Sequence, residues 1–245
     1  MIPKKIHYCW FGESPLSEVA KKYIDTWKKY CPDYEIIEWN EKNFDITQNQ
    51  YCQEAYEAKK WAFVSDYARL KILYEYGGIY MDTDVEVLRS LDGLLKYNWF
   101  SGFESDIMIP TATMGGIKNS KVLKLLLDDY TNRHFIKYNG SYDLRTNVEV
   151  ITKILKENYN IQLNNTYQIF GDNNALFPFD YLCCKNLING KIYKCKDTYT
   201  IHHFNGSWLT FYQKRKINLQ RIFSFIFGVE KCMKLKTILK GEARN

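Results

Sequence analysis

Two adjacent glycines, Gly77 and Gly78, constrain this chain more than any other feature, because they separate two stretches of opposite character. Ahead of them Trp61, Val64, Ala68 and Ile72 recur at helical spacing on one side. Glycine supplies the backbone freedom that ends a helix and turns the chain, so the helix must stop there. Behind them Ile79, Tyr80 and Met81 make an apolar run too brief for a helix. It reads as a strand over 78–82 and delivers Asp82 and Asp84 at an i, i+2 spacing. On a strand those positions share a face, so two carboxylates are expected side by side. Their repulsion calls for something positive between them, and a divalent cation is the usual answer.

The preceding sequence sets this strand in a recognisable order. Residues 5–11 are β-branched and aromatic, end at Gly12, and read as a first strand. Ser17 is placed to cap a helix reaching about Tyr30, with Val19, Ala20, Tyr23, Ile24 and Trp27 on its buried side. Cys31-Pro32-Asp33 breaks it, 34–39 reads as a second strand, and a helix from about Cys52 feeds the one over 61–76. Strand, helix, strand, helix, strand is a nucleotide-binding half whose ligands lie at the C-terminal ends of the strands. Trp10, Asp82 and Asp84 are thereby expected to face one crevice. Farther on, 99–104 and 108–114 read as strands, Gly115-Gly116 as a turn, 120–130 and 146–157 as helices, and 192–203 as one or two strands.

Charge separates the chain into two parts. Of 34 Lys and Arg and 28 Asp and Glu, nine bases and two acids fall in 209–245, which leaves the first 208 residues at a net charge of −1. The globular part has no general basic character, so nucleic acid is not its partner. We therefore divide the chain into a catalytic domain over 1–208 and a basic amphipathic helical tail over 209–245. In the tail Leu219, Ile222, Phe223 and Ile226 fall on one side at helical spacing, which suits either a membrane surface or docking on the domain. The seven cysteines show no C-x-x-C pair, and no apolar run reaches 18 residues. Reduced thiols and a cytoplasmic protein, at the inner face of the membrane if the tail binds it, are the expectation.

Ser65-Asp66, Arg69, Gly77-Gly78, Tyr80 and Asp82-x-Asp84, at these spacings, resemble the DxD glycosyltransferases of family 32. That family includes capsular polysaccharide synthesis enzymes, yeast-type mannosyltransferases and the glucosylating domains of large bacterial toxins. The opening run from Ile2 through Trp10 to Gly12 and the late His202-His203-Phe204-Asn205-Gly206-Ser207-Trp208 also look like its first-strand and C-terminal motifs. The resemblance implies a GT-A-like α/β single domain with a mixed sheet. It implies transfer from a nucleotide-sugar donor, with UDP the leading choice, to a saccharide acceptor of a bacterial surface polysaccharide, a lipid-linked one included. Retention at the anomeric carbon and a Mn²⁺ (or Mg²⁺) cofactor come with it.

By the same resemblance Asp84 ligates the metal directly, while Asp82 contacts sugar and ribose and reaches the metal directly or through water. Asp66 bonds donor hydroxyls, Arg69 grips donor sugar or phosphate oxygens, and Trp10 stacks on the base. Tyr80 follows the family pattern, and Ser207 and Trp208 close over the diphosphate, with Gly206 giving that loop freedom. Imidazole suits Mn²⁺, and adjacent strand residues face opposite ways, so one of His202 and His203 is expected to complete the ligand set. We favour His203. The family's Gly-Pro before the matching acceptor-side helix is replaced here by Thr146-Asn147, and no carboxylate is placed beneath the sugar.

Blander readings compete at several of these positions. Asp66 and Arg69 lie three apart on a helix and can be a surface ion pair. Trp10 can be core. A D-x-D after an apolar strand also describes the haloacid-dehalogenase-type phosphatases, where the motif usually ends the first strand and is followed by glycine and threonine; here it ends the third and Val85-Glu86 follow. A calcium loop fails because Val87 stands where the turn glycine is needed and Gly93 where the last carboxylate is needed. A catalytically silent sugar-nucleotide-binding protein keeps the same residues without turnover.

Overall fold

The computed structural model describes residues 1–206 together with 215, 219 and 224. The tail over 209–245 and the loop residues Ser207 and Trp208 thus lie almost wholly outside the described residues. The elements are β1 (Lys5–Cys9), α1 (Glu18–Tyr30), β2 (Glu35–Trp39), α2 (Gln50–Glu57), α3 (Trp61–Tyr76), β3 (Gly78–Met81), β4 (Val85–Val87), β5 (Trp99–Gly102), β6 (Thr113–Gly116), α4 (Lys121–Asp128), α5 (Asn147–Asn158), β7 (Gln168–Phe170), β8 (Asn174–Phe177), α6 (Phe179–Leu182) and β9 (Thr200–His202). Seven strands form one sheet in the order β2-β1-β3-β6-β5-β8-β7, and β4 pairs with β9 in a separate ribbon. β1 runs parallel to both β2 and β3, β6 is antiparallel to β3 and β5, and β5 is parallel to β8. The expected α/β, GT-A-like architecture is what forms: a parallel half, β2-β1-β3, continued by a mixed sheet.

Alternation along the strands builds two cores. Tyr80 and Trp99 join the cluster that α2, α3, α4 and α5 cover, whereas their neighbours Ile79, Met81 and Phe100 join Ile24 and Trp27 of α1 and Val85 of β4 on the opposite face. The Ser17 hydroxyl caps α1 by accepting from Ala20 N at 3.2 Å. Buried Trp27 donates its indole N–H to the Val85 carbonyl at 2.7 Å, and Thr26 accepts from Val87 N at 2.9 Å. Helix α1 thereby holds the β4–β9 ribbon. Val19, expected on its buried side, is exposed instead.

The double glycine acts as a joint between α3 and β3. A Cβ on Gly78, whose φ is +121°, would lie 2.7 Å from His7 Nε2 and 2.9 Å from the Lys5 carbonyl. His7 occupies that space fully buried, with Nε2 2.8 Å from the Gly77 carbonyl and Nδ1 3.1 Å from the Trp39 indole nitrogen. An indole can only donate, so Nδ1 accepts and Nε2 carries the proton toward Gly77. Burial lowers the pKa of this ring to about 4, and the neutral imidazole pins β1, β2 and the glycine joint together.

Three expectations are corrected in the middle of the chain. Gly115-Gly116 is strand β6, not a turn: the Phe100 ring covers Gly115, and a Cβ on Gly116 would come within 2.8 Å of Leu123 Cδ1. Most of 108–114 is irregular because side chains take up its carbonyls, Ser101 reaching that of Pro110 at 2.8 Å and Arg69 that of Thr111 at 3.2 Å. The helical run ahead of α3 is broken, with Lys59 at a φ of +55° between α2 and α3. No helix among the described residues is long and apolar enough to cross a membrane, and the six described cysteines are free thiols.

Candidate active site

Strand β3 ends at Met81, one residue earlier than expected, so Asp82 and Asp84 do not share a strand face. Asp82 N still donates to the Ala112 carbonyl at 2.8 Å, after which Val85 N turns back to the Asp82 carbonyl at 3.0 Å. The two carboxylates meet around this turn, and a third group joins them through the ribbon. Val85 pairs with His202, which brings His202 Nε2 to 3.3 Å from Asp84 Oδ1. Donor atoms of Asp82, Asp84 and His202 all lie within 4.8 Å of one another.

His203 is the expectation the structure overturns. Adjacent residues on β9 and its extension point opposite ways, and the register of the ribbon selects His202 for the aspartates. His203 turns to Glu86, with Nε2 2.8 Å from Oε2, and its ring stacks on Tyr23 at 4.6 Å. Its backbone still serves the site, since His203 N donates to the Asp84 carbonyl at 2.9 Å and Asn205 N donates to Asp84 Oδ2 at 2.8 Å.

The Asp82–Asp84–His202 group fits a divalent cation on its own chemistry. Burial would push the Asp84 carboxyl up, but the His202 charge and the Asn205 N–H hold it down at about 2. Burial likewise opposes a charge on His202, and Asp84 overrides it and raises the imidazole pKa well above the ordinary value. A proton therefore sits where two carboxylates converge on an imidazole, and a cation can replace it. Nδ1 of His202 is buried without a hydrogen-bond partner. Two hard oxygen donors with one ring nitrogen are a set that Mn²⁺ or Mg²⁺ accepts.

Asp82 is braced from below. Tyr80, 1% exposed, donates its hydroxyl to Asp82 Oδ1 at 2.9 Å. Arg69 sits at 3.2 Å from the same oxygen, at 3.3 Å from Asp66 Oδ1, and with its guanidinium 4.6 Å from the centre of the Tyr80 ring. Its remaining N–H groups reach the Ser65 carbonyl and both oxygens of Thr111. With Arg69 at 6% exposure, the surface ion pair is excluded: the guanidinium is an interior strut between two carboxylates. Burial pushes the Asp66 carboxyl up to about 6 despite Arg69 beside it. Asn147, at the first turn of α5, approaches Asp66 Oδ1 at 3.3 Å with its amide nitrogen and leaves its own Oδ1 buried without a partner. That is the place where the family's Gly-Pro is absent.

Trp10 follows β1 at the same edge of the sheet as Asp82. Its ring is half-buried, and its indole N–H donates to the Ser14 carbonyl at 2.7 Å. Sequence reasoning passed over Thr111 and gave no individual role to Asn147 or to Asn205, which it met only as part of the late motif. Thr111 and Asn205 act through or beside backbone, and Asn147 looks like an ordinary residue after a Thr146 cap, so none left a pattern to find.

Parts of the chain are similar to known proteins. Residues 17–101 match the family described as a glycosyltransferase sugar-binding region containing a DXD motif. Inositol phosphoceramide mannosyltransferase 3 of Schizosaccharomyces pombe is 36% identical over 104 residues, covering 39% of this chain and 28% of that protein. An uncharacterized glycosyltransferase of Acanthamoeba polyphaga mimivirus is 25% identical over 216 residues, 85% of this chain and 84% of its own. Among solved structures, PaToxG glycosyltransferase overlays with a TM-score of 0.48 at 22% identity, covering 64% of this chain and 68% of that one. The match to the fungal protein spans under a third of its length. The DXD pair, Asp82 and Asp84, lies inside the region that is similar to this family's sugar-binding region.

Proposed function

We propose that the chain transfers a sugar from a nucleotide-sugar donor to a hydroxyl of a saccharide acceptor, with Mn²⁺ or Mg²⁺ held by Asp82, Asp84 and His202. The observation that carries this reading is the convergence of those three donor groups within 4.8 Å at the C-terminal edge of a nucleotide-binding sheet. A cation there supplies positive charge against the charge that grows on the leaving diphosphate. The chain's own residues do the rest. Arg69 and Tyr80 fix the Asp82 carboxylate, so that it meets the donor without reorganising. Asp66 and Asn147 take sugar hydroxyls, and Trp10 offers a flat face to the base, for which uracil is our first choice. Ser207 and Trp208 close over the diphosphate.

The fungal relatives are named inositol phosphoceramide mannosyltransferases, which supports a lipid-linked acceptor and brings a mannosyl group beside a UDP-linked hexosyl one. Family resemblance supports retention and a bacterial surface polysaccharide as the acceptor's destination. The tail over 209–245 would hold the enzyme at the inner membrane face where such an acceptor is presented. A panel of UDP- and GDP-sugars incubated with Mn²⁺ tests the core of this reading. Hydrolysis of at least one donor that stops on chelation and returns with Mn²⁺ is expected. Binding of a donor without any turnover would instead favour a silent sugar-nucleotide-binding protein.

A further inference from the structure

Four of the large apolar side chains left in solvent, Ile136, Tyr138, Tyr142 and Leu144, fall within nine consecutive positions. They belong to a hairpin that the backbone fixes. Lys137 N donates to the Ser141 carbonyl at 2.8 Å, Asp143 N donates to the Phe135 carbonyl at 2.7 Å, and Ile136 stands opposite Tyr142 between them. Successive residues of such a pair alternate between its two faces. Phe135 and Asp143 turn inward and are buried, the first against Tyr51 and Phe63, the second against Arg133 and Arg145. The four even-numbered side chains share the outer face. Tyr142 stacks on Phe135 with ring centres 5.0 Å apart, Leu144 is 61% exposed, and Tyr138 at the tip is wholly exposed. Asn139 Oδ1 accepts from both the backbone N–H and the hydroxyl of Ser141, so the turn is closed by its own bonds and holds Tyr138 outward.

Apolar side chains grouped in this way on a surface mark a contact, and charge and shape choose the occupant. Lys137 lies in the tip, and the Lys60 ammonium stands 5.6 Å from the centre of the Tyr142 ring. Neither lysine makes an ion pair with a described residue. The one acid between residues 133 and 145, Asp143, is already held by two arginines. Tyrosine and aliphatic side chains beside unpaired lysines match the boundary of an anionic bilayer, where hydrocarbon meets phosphate. A projecting tip suits a flat surface, whereas a sugar or other small ligand is held in a concave site. The hairpin also borders the crevice: the chain runs from Leu144 through Thr146 into α5, where Asn147 meets Asp66, and Lys60 precedes α3, which carries Asp66 and Arg69.

We propose that Ile136, Tyr138, Tyr142 and Leu144 are a membrane contact distinct from the tail, entering the headgroup region of an anionic bilayer while Lys60 and Lys137 pair with lipid phosphates. Its purpose, setting the crevice at the level of a lipid-linked acceptor, rests on the transferase reading above. A single small contact binds a bilayer only marginally, and stable attachment takes two signals. The basic tail supplies retention, and the hairpin supplies depth and orientation.

The test uses the full chain and vesicles of phosphatidylglycerol and phosphatidylcholine in equal parts. Tyr138→Trp should show tryptophan fluorescence that brominated lipid quenches, beyond any quenching in the native chain. Ile136→Ser combined with Tyr138→Ser should weaken partitioning about tenfold or more, with a native circular dichroism spectrum. Lys137→Ser should weaken it about fivefold at low salt, and the difference should vanish at high salt. Native partitioning of the double variant overturns the contact, as does Tyr138→Trp without added quenching or a native chain that leaves the vesicles unbound. Lost hydrolysis of soluble UDP- or GDP-sugars in the double variant also overturns it, because the hairpin would then serve the crevice directly. A native dimer that the double variant dissociates would assign the face to a second copy instead. A native chain that binds vesicles through Tyr138 yet hydrolyses no sugar nucleotide refutes the transferase reading and leaves the contact standing.

Discussion

Acid should weaken this protein through one buried histidine. The His7 ring is neutral in the fold because burial lowers its pKa from 6.5 to about 4. In the unfolded chain the same ring protonates near 6.5, so between those values the unfolded state binds the extra proton and stability falls as pH falls. The full span is about 2.5 pH units, and at 1.36 kcal/mol per unit it amounts to roughly 3 kcal/mol. Urea unfolding followed by tryptophan fluorescence at pH 7.5, 6.0, 5.2 and 4.5 reads the effect, and His7→Gln provides the reference. Glutamine loses one of the two ring hydrogen bonds and costs about 1–3 kcal/mol at pH 7.5, but it does not titrate. Subtracting the two curves cancels the carboxylates shared by both chains. The native chain should lose about 1 kcal/mol per pH unit more than the variant between pH 6 and 4.5. Parallel curves would refute the argument, because His7 would then protonate in the fold as readily as out of it.

The other predictions concern the crevice and the tail. Asp84→Asn should abolish Mn²⁺-dependent donor hydrolysis, a loss of several kcal/mol in the activation barrier, with the fold retained in circular dichroism; full turnover in micromolar Mn²⁺ would contradict it. Arg69→Met leaves Asp66 and Asp82 as uncompensated interior carboxylates and should cost about 3–5 kcal/mol in urea unfolding, whereas an exposed pair would cost under about 1 kcal/mol. Trp10→Ala should weaken binding of uridine diphosphate by about 1–3 kcal/mol in calorimetry, and unchanged affinity in a folded variant would assign the ring to packing. Full-length protein should sediment with anionic vesicles at low salt and less so at high salt, and a chain ending at residue 208 should not; equal behaviour of the two would rule out a membrane role for the tail.

What was legible in the sequence was whatever rests on local periodicity. The Ser17 cap, the helix over 61–76, the glycine stop and the order of the first three strands needed only spacing and turn chemistry. Less legible was everything settled across the sheet. Gly115-Gly116 reads as a turn because glycine usually marks one, and nothing local announces that Phe100 and Leu123 will cover both faces of a bare strand. The choice between His202 and His203 rests on the register of a ribbon whose strands lie far apart in the chain, and a one-residue slip reverses it. Asp66 and Arg69 carry the same i, i+3 signature as any surface pair, and only the packing of Tyr80 and Thr111 around them makes them interior.

The β4–β9 ribbon also makes the site late to complete. The region shared with the family ends at residue 101 and holds both aspartates, but their imidazole partner arrives on the final described strand, and Glu86 and His203 across the ribbon are 117 residues apart. Cation binding and docking of β9 should act as one event: ions that bind the folded trio stabilise the ribbon by mass action, and local opening of the ribbon takes His202 away from Asp84. A cation that needs all three groups would therefore find its site only once the strand carrying His202 has docked.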